Sequence, residues 1–194
     1  MDKLTLSKIS KADLKRFVHL EEHGIDNYDW LNIESIVLTE IEYQQLDYIQ
    51  LHLLNYDTHL MNEATIWARG IYPFLLLVEQ GKIQAWSEVQ LQAKYPHFEL
   101  EGIADGVLAK CVGGFIEVPY LVVVEAKKGL ENQNPLYQLY GQLLAAAHLN
   151  WEEDQKDLQE IYGCCTIADV WKFIRAEIEG IESEKLKMKL EFSR

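Results

Sequence analysis

The spacing of apolar residues along the first part of the chain is that of amphipathic helices. One helix is predicted over residues 10–24, with Gly24 as its end, and a second, opened by a capping box, over residues 39–54. A third helical stretch covers residues 59–78, where Pro73 predicts a kink or a break. The chain is therefore expected to begin with helices.

From residue 86 onward the pattern changes to the two-residue alternation of β-strands. Strands are predicted over residues 86–92, 98–110 and 120–127, and the Gly113-Gly114 pair indicates a turn between the second and the third. Strands that follow one another through short turns pair in antiparallel fashion. This part of the chain therefore predicts a three-stranded meander.

The last part of the chain combines a helix with more strands. Residues 134–149 predict a helix with Pro135 in its first turn, and residues 161–167 and 170–176 predict a hairpin. Over residues 185–190, lysines alternate with apolar residues, which indicates a half-buried strand at a protected edge. The order of elements fits an α/β or an α+β protein. We predict the α/β arrangement, a three-layer sandwich with a central mixed sheet flanked by helices.

Composition is that of a folded protein of a reducing compartment. Hydrophobic residues make up 48% of the 194 residues, which is enough for one sizeable core. No apolar run approaches the roughly 20 residues of a membrane span, and the N-terminus lacks the apolar stretch of a signal peptide. The three cysteines follow no CxxC spacing, which argues against structural zinc or a disulfide framework. A cytoplasmic location is expected.

The net charge of −13 limits how the chain could bind nucleic acid. Proteins that bind the phosphate backbone usually carry a surplus of Lys and Arg. A nucleic-acid site in this chain must therefore be a local basic patch, or a metal or a partner must complete it. The alternative is that the acidity only aids solubility.

Candidate chemistry is concentrated near the ends of two predicted strands. Glu125 and Lys127 close an apolar run and point to one face, because side chains two residues apart on a strand share a face. Asp105 lies on the preceding strand, and the hairpin between the strands can bring it beside Glu125. Buried charges are costly unless they are paired or used. Two carboxylates and a lysine together suit a hard divalent cation and a water activated beside it.

These residues resemble the motif of the PD-(D/E)XK nuclease superfamily, which has the restriction-endonuclease-like fold. Residues 100–108 are similar to the strand that carries the family's first acid, and residues 119–128 to its central strand. Residues 135–142 are similar to the following helix, which carries a glutamine in many members. A hairpin over residues 161–173 is similar to that of restriction-subunit nuclease domains. The chain departs from the family motif at Ala104, where the motif has proline.

What the resemblance implies is metal-dependent hydrolysis of phosphodiester bonds, with DNA as the expected substrate. Asp105 and Glu125 would bind Mg²⁺ or Mn²⁺, and Glu63 on the preceding helix would contribute directly or through water. Lys127 would orient or help to deprotonate the attacking water and offset charge in the transition state. A glutamine would hydrogen-bond a water or the nucleic-acid backbone. The implied catalytic set is Asp105, Glu125, Lys127 and Gln142, with Gln138 as the alternative glutamine.

The whole chain, residues 1–194, is expected to form one nuclease-like domain. The resemblance covers roughly residues 58–178 as the core, preceded by an N-terminal helical part over residues 1–57 and followed by a C-terminal strand over residues 179–194. Such nucleases often act as dimers. A homodimer or a partner subunit is therefore a second expected partner besides the nucleic acid, and no membrane partner is expected.

Two other hypotheses stand beside the nuclease. Glu125 and Lys127 could form a buried ion pair, with Asp105 as a hairpin residue, in a domain without a nucleic-acid role. A catalytically inactive member of the same fold could instead act as a binding or assembly subunit, which the acidic composition favours and the intact acids and lysine oppose. A basic groove around Lys110, Lys127 and Lys128 would separate the nucleic-acid functions from the purely structural one.

Overall fold

The computed structural model describes residues 1–34, 36–127, 134–167, 170–184 and 186–194. The α-helices of these residues are α1 Lys11–Phe17, α2 Glu40–Leu54, α3 Glu63–Ile66, α4 Tyr72–Leu77 and α5 Pro135–Asp154. The strands are β1 Asp2–Thr5, β2 Val18–Ile25, β3 Ile83–Lys94, β4 Phe98–Val112, β5 Phe115–Lys127, β6 Gln159–Ile167, β7 Val170–Glu179 and β8 Leu186–Phe192. A π-helical segment, Trp67–Ile71, joins α3 to α4.

The eight strands form one mixed sheet with the path β1-β4-β5-β6-β7-β8-β2, and β3 pairs with β4 outside this path. Strands β3, β4 and β5 are the predicted antiparallel meander. Helix α5 then carries the chain to β6, which is parallel to β5, and β6, β7 and β8 continue in antiparallel fashion. The predicted α/β class with a mixed sheet and helices is thus confirmed.

The two faces of the sheet are covered by different helices. Helix α5 packs on one face, where its leucines and alanines meet Val107, Val123 and Ile174 in the larger core. The α4 region packs on the other face, where Leu75 meets Leu108 and Val124 in a smaller core. Neighbouring residues of β5 point to opposite faces, so a site on this strand can draw side chains from both layers.

The N-terminal part departs from its predicted helical character. Ser10 caps α1 in a capping box with Asp13, at the predicted start of the helix. The helix, however, ends at Phe17 rather than at Gly24. The chain continues as β2, which pairs in parallel with β8. The helix prediction over residues 10–24 was wrong because apolar residues such as Val18 also fit a strand, and the edge of β8 supplies the backbone partners. With β1, the part over residues 1–57 contains two strands.

The predicted edge strand is also placed differently. Strand β8 lies between β7 and β2, so it is an interior strand, and β2 is the edge. Lysines on β8 therefore do not protect an edge: Lys189 lies 2.9 Å from Glu177 on β7 and 3.0 Å from Glu191. Lys185 lies outside the described residues. The prediction failed because the partner strand was read as helix.

Candidate active site

The candidate residues lie where strand β4 changes its neighbour. Residues 98–101 of β4 pair with β1, and residues 106–112 pair with β5. Strand β3 pairs along nearly the whole of β4, so β1 and β5 share its other edge. Residues 102–105 of β4 lie between these two neighbours and have no ladder partner on that side among the described residues. We call residues 102–105 and the strand ends on either side of them the fork. Backbone N–H and C=O groups at this fork must form hydrogen bonds other than those of a strand ladder.

Asp105 fills part of the fork. Its Oδ2 accepts a hydrogen bond of 2.7 Å from the backbone N–H of Ala126, just beyond the last residue of β5 that pairs with β4. The hairpin therefore places Asp105 beside the Glu125-Ala126-Lys127 segment. Burial raises the pKa of the Asp105 carboxyl above its ordinary value, although the hydrogen bond from Ala126 and the charge of Lys127 work in the opposite direction.

In β3 and β4, the alternation of side chains between the two faces of the sheet shifts by one residue at this point. Ala104 and Val107 both belong to the core on the α5 face, whereas the intervening Gly106 meets Trp67 on the other face. Opposite Asp105 in the antiparallel register lies Glu88, whose φ of 54° is unusual for a non-glycine residue. Such backbone distortions concentrate at functional sites. Here the distortion turns both carboxylates toward one cavity.

Glu125 lies on the α5 face and is completely buried. Its Oε2 accepts hydrogen bonds from the side-chain amides of Gln142, at 2.6 Å, and Gln138, at 2.9 Å. Burial, followed by the charge of Asp105, raises the pKa of Glu125 to about 7, against the lowering effect of Lys127 and Gln142. A buried carboxyl that titrates near neutrality is typical of a functional site.

Lys127 pairs with the second oxygen of the same carboxylate. Its Nζ lies 3.0 Å from Glu125 Oε1, and its side chain is 26% exposed while that of Glu125 is fully covered. Burial lowers the pKa of Lys127, but the attraction of Glu125, Asp105 and Glu63 outweighs it, so the net pKa is raised. Lys127 is therefore an ammonium at neutral pH. Among the described residues, Oε1 accepts no hydrogen bond of good geometry, so the contact with Lys127 is an ion pair.

Glu63 lies on the other side of the fork, in the first turn of α3. It lines a cavity of about 600 Å³ together with Asp105, Glu88 and Trp67. Its charge raises the pKa of Asp105, so these two carboxylates interact. The indole of Trp67 lies against Gly106 and donates a 3.0 Å hydrogen bond to Ser87 Oγ. A side chain on residue 106 would collide with this indole, so glycine permits the π-helical segment after α3 to approach β4.

The side chains of the two glutamines contact Glu125 and not the cavity beside Asp105. Both side chains bind Glu125, and Gln142 also donates a 3.2 Å hydrogen bond to the carbonyl of Ile103 in the unpaired stretch of β4. Gln142 is fully buried, and neither glutamine lines the cavity beside Asp105. These contacts orient the Glu125 carboxylate and satisfy the Ile103 carbonyl at the fork from the α5 side.

Other sequence predictions fall outside the site or outside the described residues. Lys110 lies near the hairpin end of β4, where its Nζ is 2.9 Å from Glu117. Lys128 is not among the described residues. The cavity beside Asp105 is lined by no Lys or Arg within the described part of the chain. The described residues thus do not form the basic groove considered from the sequence.

Sequence reasoning missed one acidic residue of the cavity. Glu88 was read only as part of an alternating strand, yet it lines the cavity with Asp105 and raises the pKa of that carboxyl. Pairing the two predicted strands in antiparallel register would have placed Glu88 opposite Asp105. The sequence therefore contained the information that places Glu88 in the cavity. Using it required the pairing register of β3 with β4, which the alternation of side chains alone does not determine.

The donor groups fit a hard divalent cation in chemistry, although they do not form a complete metal cage. Within the described ranges, no three His, Cys, Asp or Glu side chains are grouped closely enough to bind a metal. Asp105 and Glu125 nevertheless offer carboxylate oxygens, the type of ligand that Mg²⁺ and Mn²⁺ prefer. The buried Glu125 Oε1, which lies 3.0 Å from the Lys127 ammonium, is an oxygen that a metal cation could share with it.

Among the described residues, no helix is both long and apolar enough to span a membrane. A scan against protein-family models finds no match for the chain, and a search of curated proteins finds none either.

Proposed function

We propose that this protein is a Mg²⁺- or Mn²⁺-dependent nuclease that hydrolyses phosphodiester bonds, with DNA as the substrate. The observation that carries the proposal is that the Asp105 carboxylate binds the backbone N–H between Glu125 and Lys127, which pair with each other, and that the charge of Asp105 acts on Glu125. Burial raises the pKa of both carboxyls, and the buried amide of Gln142 on α5 fixes one of them. A structural ion pair alone explains neither the second acid nor the acidic cavity beside it.

In this proposal the carboxylates hold the cation and Lys127 acts on the phosphate. Asp105 and Glu125 would bind the metal, and Glu63 would contribute from α3. The bound cation would neutralise phosphate charge and activate a water molecule. The raised pKa keeps Lys127 an ammonium, so it orients the attacking water and offsets charge on the phosphate rather than taking a proton. Gln138 and Gln142 act indirectly, by fixing the Glu125 carboxylate.

The proposal includes the restriction-endonuclease-like fold and the PD-(D/E)XK family. Support comes from the order of the elements around the site. The first acid is on the middle strand of the meander, the second acid and the lysine are on β5, and the glutamines are on the helix that follows. Three free, buried cysteines agree with a reducing compartment such as the cytoplasm.

A second candidate function is a catalytically inactive subunit of the same fold. The cavity beside Asp105 favours it, because Glu63 and Glu88 add negative charge where a phosphate would approach. Such a protein would bind the cation or a partner chain without hydrolysing nucleic acid. Cleavage and metal binding, measured separately, distinguish the two functions.

The decisive experiment compares cleavage of plasmid DNA and of single-stranded DNA with Mg²⁺, with Mn²⁺ and with EDTA at low ionic strength. The wild type is expected to cleave with either metal and not with EDTA. Asp105→Asn and Glu125→Gln are expected to lower the rate by roughly 100-fold or more. Glu101→Gln, an exposed residue of the same strand β4, is the matched control and should cleave like the wild type.

Metal binding is measured on the same proteins by thermal unfolding. Millimolar Mg²⁺ should raise the Tm of the wild type and of Glu101→Gln but not that of Asp105→Asn, because a ligand stabilises the state that binds it. If the wild type binds the metal without cleaving either DNA substrate, the inactive-subunit function replaces the nuclease. An unchanged Tm together with no cleavage would reject both.

A further inference from the structure

A second groove lies beside the candidate active site, between α2 and the segment that joins α3 to α4. Its volume is about 640 Å³, within the range of small-molecule sites. Ala68 and Arg69 line the groove, whereas their chain neighbour Trp67 lines the cavity of Asp105. Cavity and groove are therefore lined from one π-helical segment, a type of distortion that is frequent at functional sites.

The groove is lined by a row of aromatic rings. Tyr48 and His52, one helical turn apart on α2, make an edge contact with ring centroids 4.2 Å apart. His52 is followed by Tyr56, whose ring is nearly parallel to it, with an interplanar angle of 8° and a centroid distance of 6.0 Å. The row is open to solvent, since Tyr48 is 65% exposed.

A positive charge lies at one end of this row. The guanidinium of Arg69 lies 4.9 Å from the centroid of the Tyr56 ring and makes no ion pair within the described part of the chain. The side-chain amides of Gln44 and Gln45 line the same groove. Rings for stacking, amides for hydrogen bonding and a cation for a phosphate are the groups that bind single-stranded nucleic acid.

We infer that this aromatic groove binds an unpaired nucleobase of a single strand whose phosphodiester lies in the acidic cavity lined from the same segment. The inference rests on the proposed nuclease function for its substrate class. A base would stack on Tyr48, and Arg69 would contact a flanking phosphate. The acidic cavity supplies no positive side chain among its described lining residues, so the groove contributes the charge and the stacking surface that the cavity lacks.

Binding is tested by fluorescence anisotropy in EDTA with a labelled DNA strand of about 12 nucleotides and an abasic strand of the same length and charge. The wild type should bind the base-bearing strand about tenfold tighter than the abasic strand. Tyr48→Ala should abolish this preference, and Tyr48→Trp should retain it because the indole also stacks. Tyr43→Ala is the matched control on another face of α2, where Tyr43 is 57% exposed, and should bind like the wild type.

Three results would overturn the inference. The first is equal binding of the two strands by the wild type, and the second is an unchanged preference in Tyr48→Ala. The third is a wild type that sediments as a dimer while Tyr48→Ala sediments as a monomer, because the groove would then be a contact between copies. Circular dichroism of each variant verifies that α2 is retained.

Cleavage of the same two strands in Mg²⁺ separates this inference from the proposed function. The wild type should cleave the base-bearing strand faster than the abasic one, and Tyr48→Ala should cleave both at the slower rate. If the wild type cleaves neither strand but prefers the base-bearing one in binding, the nuclease fails and the groove stands. If it cleaves both equally and binds both equally, the nuclease stands and the groove fails.

Discussion

Helices α5 and α2 cover opposite sides of the molecule and are packed very differently. Helix α5 buries twelve of its 20 residues, including Gln142 beneath the site. Helix α2 buries only Ile49 of its 15 residues, and apolar side chains such as Ile41 and Leu54 remain largely exposed. One helix is part of the core, and the other lies on the surface with apolar groups facing solvent.

This difference divides the candidate site into a fixed half and an adjustable half. Glu125 is fixed by two amides from α5, which the core prevents from moving. Glu63 belongs to the layer of α2, α3 and α4, which buries few apolar contacts and is expected to open at lower free energy. In the proposed nuclease, the fixed half would hold the cation and the adjustable half would admit the substrate.

The largest effect is expected from truncating the two helices at matched leucines. Leu143→Ala on α5 removes a fully buried side chain and should lower the free energy of unfolding by about 2–5 kcal/mol. Leu46→Ala on α2 removes a half-buried side chain and should cost less than about 1.5 kcal/mol. Urea unfolding followed by tryptophan fluorescence measures both. Equal losses would show that the two layers are equally well packed.

The next effect is the pH dependence of stability that Glu125 causes in the metal-free protein. Its pKa is about 7 in the folded state and ordinarily 4.5, so the folded state binds an extra proton between these values. The resulting stabilisation is complete below pH 4.5 and is lost as the pH rises to 7, by up to about 3 kcal/mol. The Glu125→Gln variant has no titrating carboxyl at this position, so its free energy of unfolding should lack this pH-dependent contribution.

The pH profiles are obtained by chemical unfolding in EDTA, and the quantity of interest is the wild-type profile minus that of Glu125→Gln. Taking the difference removes the contributions of the carboxyls that do not interact with Glu125. A difference that is flat between pH 4.5 and 7 would mean that Glu125 is not desolvated, and the site would not have the fixed half described above.

A smaller effect is expected at the contact that joins the adjustable layer to β4. In Gly106→Ala the added methyl group collides with the indole of Trp67, which should cost about 1–3 kcal/mol. Replacing Trp67 by Phe removes the colliding atoms, so Gly106→Ala/Trp67→Phe should be more stable than the sum of the single variants predicts. Thermal unfolding of the four proteins measures the coupling, and additive changes would show that the layer already yields to the methyl group.

The smallest effect is expected from the helix caps. Asn134 caps α5 through Leu136 N–H, and Thr39 caps α2 through Glu42 N–H. Removing either cap with alanine should cost about 1 kcal/mol locally. Asn134→Ala should lower global stability, because α5 unfolds only with the core. Thr39→Ala should mainly speed amide hydrogen exchange within α2. Uniformly faster exchange in Thr39→Ala would mean that α2 unfolds together with the core.

The local pattern of the chain was sufficient for the meander, for α5 and for the start of α2. Two-residue alternation, the Gly113-Gly114 turn and the capping box at Thr39 act over a few residues, and each appears where it was predicted. The juxtaposition of Asp105 with the Glu125-Ala126-Lys127 segment also followed from the sequence, because a hairpin determines which strand ends meet.

Only the tertiary structure decided the features that depend on distant partners. Val18 and its neighbours become a strand because β8 offers an edge, and β8 becomes interior for the same reason. The glutamines of α5 bind Glu125 because helix and strand pack face to face, and Glu88 joins the cavity through the register of β3 with β4. Sequence periodicity reports which residues share a face. It does not report which distant element supplies the hydrogen bonds or the burial, and those contacts determined the edge of the sheet and the surroundings of the site.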